Sequence, residues 1–247
     1  MNYDDIKEDN PTSPHKRRIH KEKNLYFRIH IGVLGEDKCG KTSLIQTFLT
    51  KTFLNDIKEN TILQTNKVTI KIENKPIELI ITEINIFQKQ DDKIIKDLVE
   101  RMDCFFICHE IRENDELFNE ETIKKFILYI SNVHNLNDFL IYSVGCKLDK
   151  KSKEIKNKTA YVIDNEGKFT TYGQRVKTLV ETNNIKKFFA TSALLNYNIN
   201  ELFEDAIISV AFREFRKSKL KEKDNNINNN YHSNEIYDEF YDRCFIF

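Results

Sequence analysis

The sequence predicts an α/β fold, a six-stranded and mostly parallel sheet with helices on both faces. Three observations carry that expectation. Strand-like apolar runs alternate with helix-spaced runs through the second half of the chain, as crossover connections between parallel strands require. One pair of alternating runs is separated only by a short polar turn, which marks a single hairpin. A glycine loop joins the first strand to the first helix, a junction that phosphate-binding α/β proteins use.

The first strand is expected over 25–34, where Leu25, Phe27, Ile29, Ile31, Val33 and Leu34 supply the apolar positions. A helix follows over 42–50, with Leu44, Ile45, Phe48 and Leu49 at helical spacing. Val68, Ile70 and Ile72 alternate with polar residues, as do Ile77, Leu79 and Ile81, and Asn74-Lys75 turns the chain between them. Strands are then expected over 104–108, 139–145 and 187–190, and helices over 120–131, 172–181 and 199–215. Residues 1–24 are charged, contain Pro11 and Pro14, show no periodicity, and read as a disordered extension. The folded domain is therefore placed at 25–215, with a charged insertion at about 150–170. A flexible tail over 216–247 turns Lys-rich and then Asn-rich.

Composition narrows the function classes. A chain of 247 residues holds one full-sized domain with tails. Its formal net charge of +0 argues against a nucleic-acid partner, whose phosphates select a basic surface. No apolar run is long enough to span a membrane, and the polar Met1 to Asn10 stretch is unlike a secretory leader. The five cysteines, Cys39, Cys104, Cys108, Cys146 and Cys244, lack the spacing of a disulfide framework or of paired zinc ligands. Cys104 and Cys108 read as core residues of a buried strand, with a metal site shared with His109 as the alternative.

Gly35-Glu-Asp-Lys-Cys-Gly40-Lys41-Thr42 fits the phosphate-loop pattern of two glycines with four residues between them, followed by Lys and Thr. Backbone N–H groups from Asp37, Lys38, Cys39, Gly40 and the helix start at Lys41, Thr42 and Ser43 can converge on a phosphate, and the helix dipole adds to the attraction. Lys41 suits the β- and γ-phosphates, and the Thr42 hydroxyl suits Mg²⁺. The loop alone does not separate a GTPase from an ATPase or a nucleoside kinase.

Base selection rests on two later elements. Val144-Gly-Cys-Lys147-Leu-Asp149 follows one apolar strand, and Thr191-Ser192-Ala193-Leu194 follows another. They resemble the guanine-reading elements of Ras-like small GTPases, the first in wording close to the Rho branch. The resemblance implies that the Asp149 carboxylate accepts hydrogen bonds from guanine N1 and its exocyclic amine, which adenine cannot donate as a pair. It implies that the Lys147 stem covers the base and that the Ala193 N–H reaches guanine O6, with Ser192 and Leu194 beside it. Phe53 falls where the family has an aromatic residue against the guanine. Thr61 falls at the switch I threonine that, with Thr42, ligates Mg²⁺. Cys146 stands where Asn or Thr is usual. The hairpin around 73–79 and the insertion at 150–170 also resemble Rho proteins. The implied fold is that of small GTPases, a phosphate-loop NTPase fold, and the implied ligands are GTP or GDP with Mg²⁺.

The chain departs from that family where hydrolysis is organised. At family spacing from Thr61, the switch II motif falls on Glu83-Ile84-Asn85-Ile86-Phe87. Glu83 keeps a carboxylate for Mg²⁺, but Ile86 replaces a glycine and Phe87 replaces the glutamine that orients water. Gln88 is one residue out of place. Asp37 occupies a position that is glycine in most relatives, where a side chain crowds the transition state and a carboxylate repels the γ-phosphate. No catalytic residue is assigned. The expectation is a GTP-bound switch with weak or absent hydrolysis; the alternatives are a GTPase completed by a partner protein and a nucleotide-free scaffold.

Cys244-Phe-Ile-Phe247 fits a prenylation signal whose final Phe favours geranylgeranylation. That places the protein in the cytoplasm, on the cytosolic face of a membrane. Arg213, Arg216, Lys217, Lys219, Lys221 and Lys223 read either as a second, electrostatic membrane signal or as the solvated end of the last helix. His15 to Arg18, with Lys21 and Lys23, reads as a solvated basic tail. The resemblance implies effectors bound through the switch regions, with exchange factors and a prenyl-binding dissociation inhibitor as further partners.

Overall fold

The structure, a computed structural model, describes residues 27–55, 63–72, 75–85, 92–111, 120–133, 139–150 and 171–225. Outside them lie the N-terminal extension, Thr61, the 86–88 segment, the bulk of the insertion, and the tail with Cys244.

The chain runs β1 (Phe27–Gly35), α1 (Lys41–Thr50), β2 (Leu63–Ile72), β3 (Lys75–Ile84), α2 (Asp92–Val99), β4 (Cys104–Glu110), α3 (Glu120–Ser131), β5 (Leu140–Cys146), α4 (Thr171–Thr182), β6 (Lys187–Ala190) and α5 (Ile199–Asn225). The six strands form one sheet in the order β2-β3-β1-β4-β5-β6. Only the β2–β3 pair is antiparallel, the hairpin expected from its alternating residues, with Ile72 opposite Lys75. All other neighbours are parallel. The predicted α/β fold is the observed one.

Side-chain alternation divides the core into two layers. On one face Ile29, Ile31, Val33, Cys104, Phe106 and Cys108 pack with Leu44 and Phe48 of α1 and Phe203 of α5. The Phe48 and Phe203 rings stack at 3.8 Å between centroids. On the other face Leu34, Phe105 and Ile107 pack with Val99, Phe126 and Leu179 from α2, α3 and α4. Asp103, just before β4, ties β1 to α5. Its carboxylate accepts from the His30 N–H at 2.9 Å and from Arg213 of α5 at 3.1 Å.

Two elements differ from expectation. α2, which the sequence reading did not assign, is only eight residues long, so its buried Ile95 and Val99 show helical spacing over just two turns. α5 continues to Asn225, ten residues beyond the expected end, so the first lysines of the predicted tail are helical. The extension contains neither Gly nor Pro and is rich in Lys, which favours helix. Among the described residues, no helix is long and apolar enough to cross a membrane.

The Cys104, Cys108 and His109 segment is core, as its apolar run suggests. Cys104 and Cys108 face the α1–α5 layer, while His109, on the opposite side of the strand, lies against the Phe188 ring at 6.0 Å. Among the described residues, no group of three His, Cys, Asp or Glu side chains could hold a metal ion.

Candidate nucleotide-binding site

The site lies at the C-terminal edge of the sheet, where strand order reverses around β1, the usual ligand position in open α/β sheets. The loop after β1 passes close to β4. A Cβ on Gly35 (φ +153°) would stand 2.2 Å from the Cys108 carbonyl oxygen, so only glycine fits there. Gly40 (φ +114°) opens α1 in the left-handed region without a side-chain cap. The first-turn amides of α1 are thereby left to an external acceptor, the arrangement that suits an anion.

Lys41 is 4% exposed. Its ammonium donates to the carbonyls of Gly35 at 3.2 Å and Glu36 at 2.7 Å and lies 3.9 Å from the Glu83 carboxylate. The Thr42 hydroxyl donates to the other Glu83 oxygen at 2.8 Å. A hydroxyl and a carboxylate so close, at the end of a phosphate-type loop, are the hard oxygen donors that Mg²⁺ prefers. The residues fit that ion. Asp37 and Lys38 are exposed, whereas Cys39 is buried. Its thiol lies 3.5 Å from the Cys108 carbonyl, and burial, reinforced by Cys146, pushes its pKa up to about 12. The Cys39 side chain therefore anchors the loop, and only its backbone is available to a ligand.

On the other side of the loop lies a cavity of about 160 Å³. Its floor comes from Gly40, Ser43 and Leu44, and its walls from Phe53, Cys146, Lys147 and Asp149. Thr191, Ala193 and Leu194 close the remaining side. The predicted residues Gly40, Ser43, Phe53, Lys147, Asp149, Ala193 and Leu194 thus meet in one place, although they come from four separate stretches of chain.

The loops around the cavity are tied together. Ser192 is fully buried and its hydroxyl donates to Asp149 at 2.5 Å, fixing the carboxylate. Lys147 has φ +62°, a left-handed conformation that a non-glycine residue adopts only when its surroundings hold it there. Its ammonium donates to the Lys38 carbonyl at 2.5 Å and lies 3.4 Å from Glu110. Burial raises the Glu110 pKa, but the Lys150 hydrogen bond and the charges of Lys147 and Lys150 outweigh it and hold the carboxyl below its ordinary value. Where the family has Asn or Thr, the Cys146 thiol is engaged inside the core. Hydrogen bonding with Cys108 lowers its pKa against the opposing effect of burial. Backbone bonds join the two base-side loops instead, from the Thr191 N–H to Gly145 at 2.6 Å and from the Leu148 N–H to Thr191 at 3.0 Å.

A sequence profile of the Ras family matches residues 30–211, most of the chain and all of the described sheet beyond its first strand's opening residues. The chain belongs to the Ras family. It is similar to the GTP-binding protein Di-Ras1 of Mus musculus, with 25% identity over 199 residues that cover 78% of this chain and 90% of that protein. The α/β sheet and phosphate loop described above are therefore those of a Ras-family GTP-binding switch. Members of this family typically hydrolyse GTP.

In this Ras-family chain the sequence reading missed three contributors. Glu110 holds Lys147, Thr191 lines the cavity, and Asn85 binds Asp37. Glu110 had a legible signal, because it is a carboxylate closing a buried strand at the C-terminal edge of the sheet. Asn85 had none, since it acts through a contact forty-eight residues away in sequence, whereas Thr191 lies in the named 191–194 element and only its bond to Gly145 was hidden.

Proposed function

We propose that this chain is a Rho-type guanine-nucleotide switch that binds GTP and GDP with Mg²⁺, turns GTP over slowly, and presents its switch regions to effectors. The observation that carries the reading is the cavity shared by the phosphate loop, Lys147 and Asp149, with Ser192 fixing the Asp149 carboxylate. A base seated there would meet a carboxylate able to accept two hydrogen bonds, which guanine can donate and adenine cannot. The Lys147 stem and Phe53 would cover its faces. Lys41 and the first-turn amides of α1 would hold the β-phosphate. Thr42, Glu83 and Thr61 would hold Mg²⁺, which supplies charge neutralisation to the phosphates.

Slow turnover is inferred from the residues at the sequence positions that organise hydrolysis in the family. Phosphoryl transfer in this class depends on positioning and electrostatics, so groups can be lost at a large cost in rate while binding survives. Ile86 and Phe87 offer no side-chain hydrogen bond to a water, and Asp37 adds negative charge. The Rho assignment is supported by the Val144 to Asp149 wording and the position of the insertion, and membrane tethering by Cys244.

Two measurements on the purified protein test this reading. Nucleotide released on denaturation, identified by chromatography, should be GTP or GDP and not ATP. Phosphate release from GTP-loaded protein should be slow, should not respond to Rho-type activating proteins, and should not be restored by Asp37→Gly alone. Equal competition by ATP would remove the guanine assignment. Fast release by the unmodified protein would remove the claim of impaired hydrolysis, with Gln88 then the first residue to substitute.

A further inference from the structure

Asp37, which departs from the family's wording, faces Asn85 of the strand end in the structure. Asp37, exposed on the phosphate loop, accepts a hydrogen bond from the side-chain amide of Asn85, Nδ2 to Oδ1 at 3.1 Å. Asn85 stands immediately beyond β3, two residues after Glu83, whose carboxylate binds Thr42 and lies near Lys41. The next loop residue faces the opposite way, because the Lys38 carbonyl takes the Lys147 ammonium on the base side. Asp37 is thus on the metal side of the loop. It is held there by the same strand end that supplies Glu83.

From this geometry we infer that Asn85 is a specificity-determining positioning residue for the terminal phosphate, tying down the Asp37 carboxylate so that the site accepts a nucleoside triphosphate. The inference rests on the guanine-nucleotide reading above. A carboxylate free to swing over the metal side of the loop would repel a third phosphate, and in a partly shielded site that repulsion is strong. An amide is suited to restrain it. Asn carries two N–H donors, so one can hold Asp37 while the other stays available to a second acceptor. A carboxylate at position 85 would add repulsion, and an alanine would leave Asp37 unrestrained. The β-phosphate is served by Lys41 and the loop amides, so a diphosphate should be indifferent to the pair. The departure at position 37 is therefore tolerated because Asn85 restrains the carboxylate.

The test is equilibrium affinity for GDP and for a non-hydrolysable GTP analogue, with Mg²⁺, by displacement of a fluorescent guanine nucleotide. Asn85→Ala should leave GDP affinity unchanged and weaken the triphosphate about three- to tenfold, the scale of one ordinary hydrogen bond, as suits an exposed pair. Asn85→Asp, which keeps the side chain's shape, should weaken it further. Asp37→Gly should abolish the effect of Asn85→Ala, so that the double variant behaves like Asp37→Gly. An unchanged triphosphate-to-diphosphate ratio in both Asn85 variants overturns the inference, as does a parallel loss of both affinities, which would make the pair merely structural. A parent protein that binds neither nucleotide would sink the guanine-nucleotide reading and this inference with it. A parent that binds both, with an unmoved ratio, sinks the inference alone.

Discussion

Ser192 and Asp149 are forty-three residues apart in sequence, yet the serine hydroxyl fixes the carboxylate on which base selection is proposed to rest. A carboxylate oxygen has two acceptor positions, so the bond to Ser192 leaves capacity for a base. Asp149→Ala should remove most of the preference for GTP over ATP, about a hundredfold for two hydrogen bonds to a charged acceptor. Ser192→Ala should cost less, about three- to tenfold, because the carboxylate remains but is no longer held. Competition of ATP and GTP against a fluorescent guanine nucleotide measures both. If Ser192→Ala costs as much as Asp149→Ala, the serine does more than position its partner. Residues such as Lys41, Thr42, Lys147 and Asp149 were legible in the sequence because fixed local spacing specifies their backbone context. Asn85 was not, because it acts on a loop brought to it only by the sheet, and Glu110 was legible as a carboxylate at a strand end but not as the partner of Lys147.

β4 shows the same division among the elements. Its unbroken apolar run announced a strand buried on both faces, and the alternation of its side chains between two core layers follows from the pleat. What the run did not announce is the state of His109. Burial depresses its pKa from 6.5 to about 4. A base with a depressed folded-state pKa is neutral in both states above 6.5. Below that the unfolded chain takes up a proton that the folded chain refuses until about pH 4. Stability is therefore lost as pH falls from 6.5 to 4, by up to about 3 kcal/mol from this one group. His109→Leu should flatten that part of the profile relative to the parent. Urea midpoints across this range test it, and parallel profiles would show that His109 is not the buried titrating group. The last helix is the reverse case. α5 was recognised from Leu202, Phe203, Ala206, Ile207 and Val210, but its continuation to Asn225 runs through a sequence with Leu220 as its one apolar residue, so hydrophobic periodicity ended before the helix did.

For the whole molecule, the sheet and site explain nucleotide chemistry but not where the protein works. The basic residues Arg213, Arg216 and Lys217 are committed to α5, and two of them already have partners in the protein. Arg213 binds Asp103 at 3.1 Å, and Lys217 lies 3.2 Å from Glu214. The electrostatic signal left for an anionic leaflet is therefore smaller than a count of Lys and Arg suggests, and Glu235, Asp238, Glu239 and Asp242 oppose it. At up to about 1 kcal/mol per free basic residue near the surface, the run cannot replace a lipid, and one lipid alone anchors reversibly. We therefore predict that the parent partitions between membrane and cytosol in cells, and that Cys244→Ser moves it fully to the soluble fraction. Replacing Lys219, Lys221 and Lys223 by Gln should shift the parent only modestly toward soluble, and should change nothing in the Cys244→Ser background. Fractionation of the four proteins decides between the contributions. If Cys244→Ser fractionates like the parent, prenylation at that cysteine is not what holds the protein at a membrane.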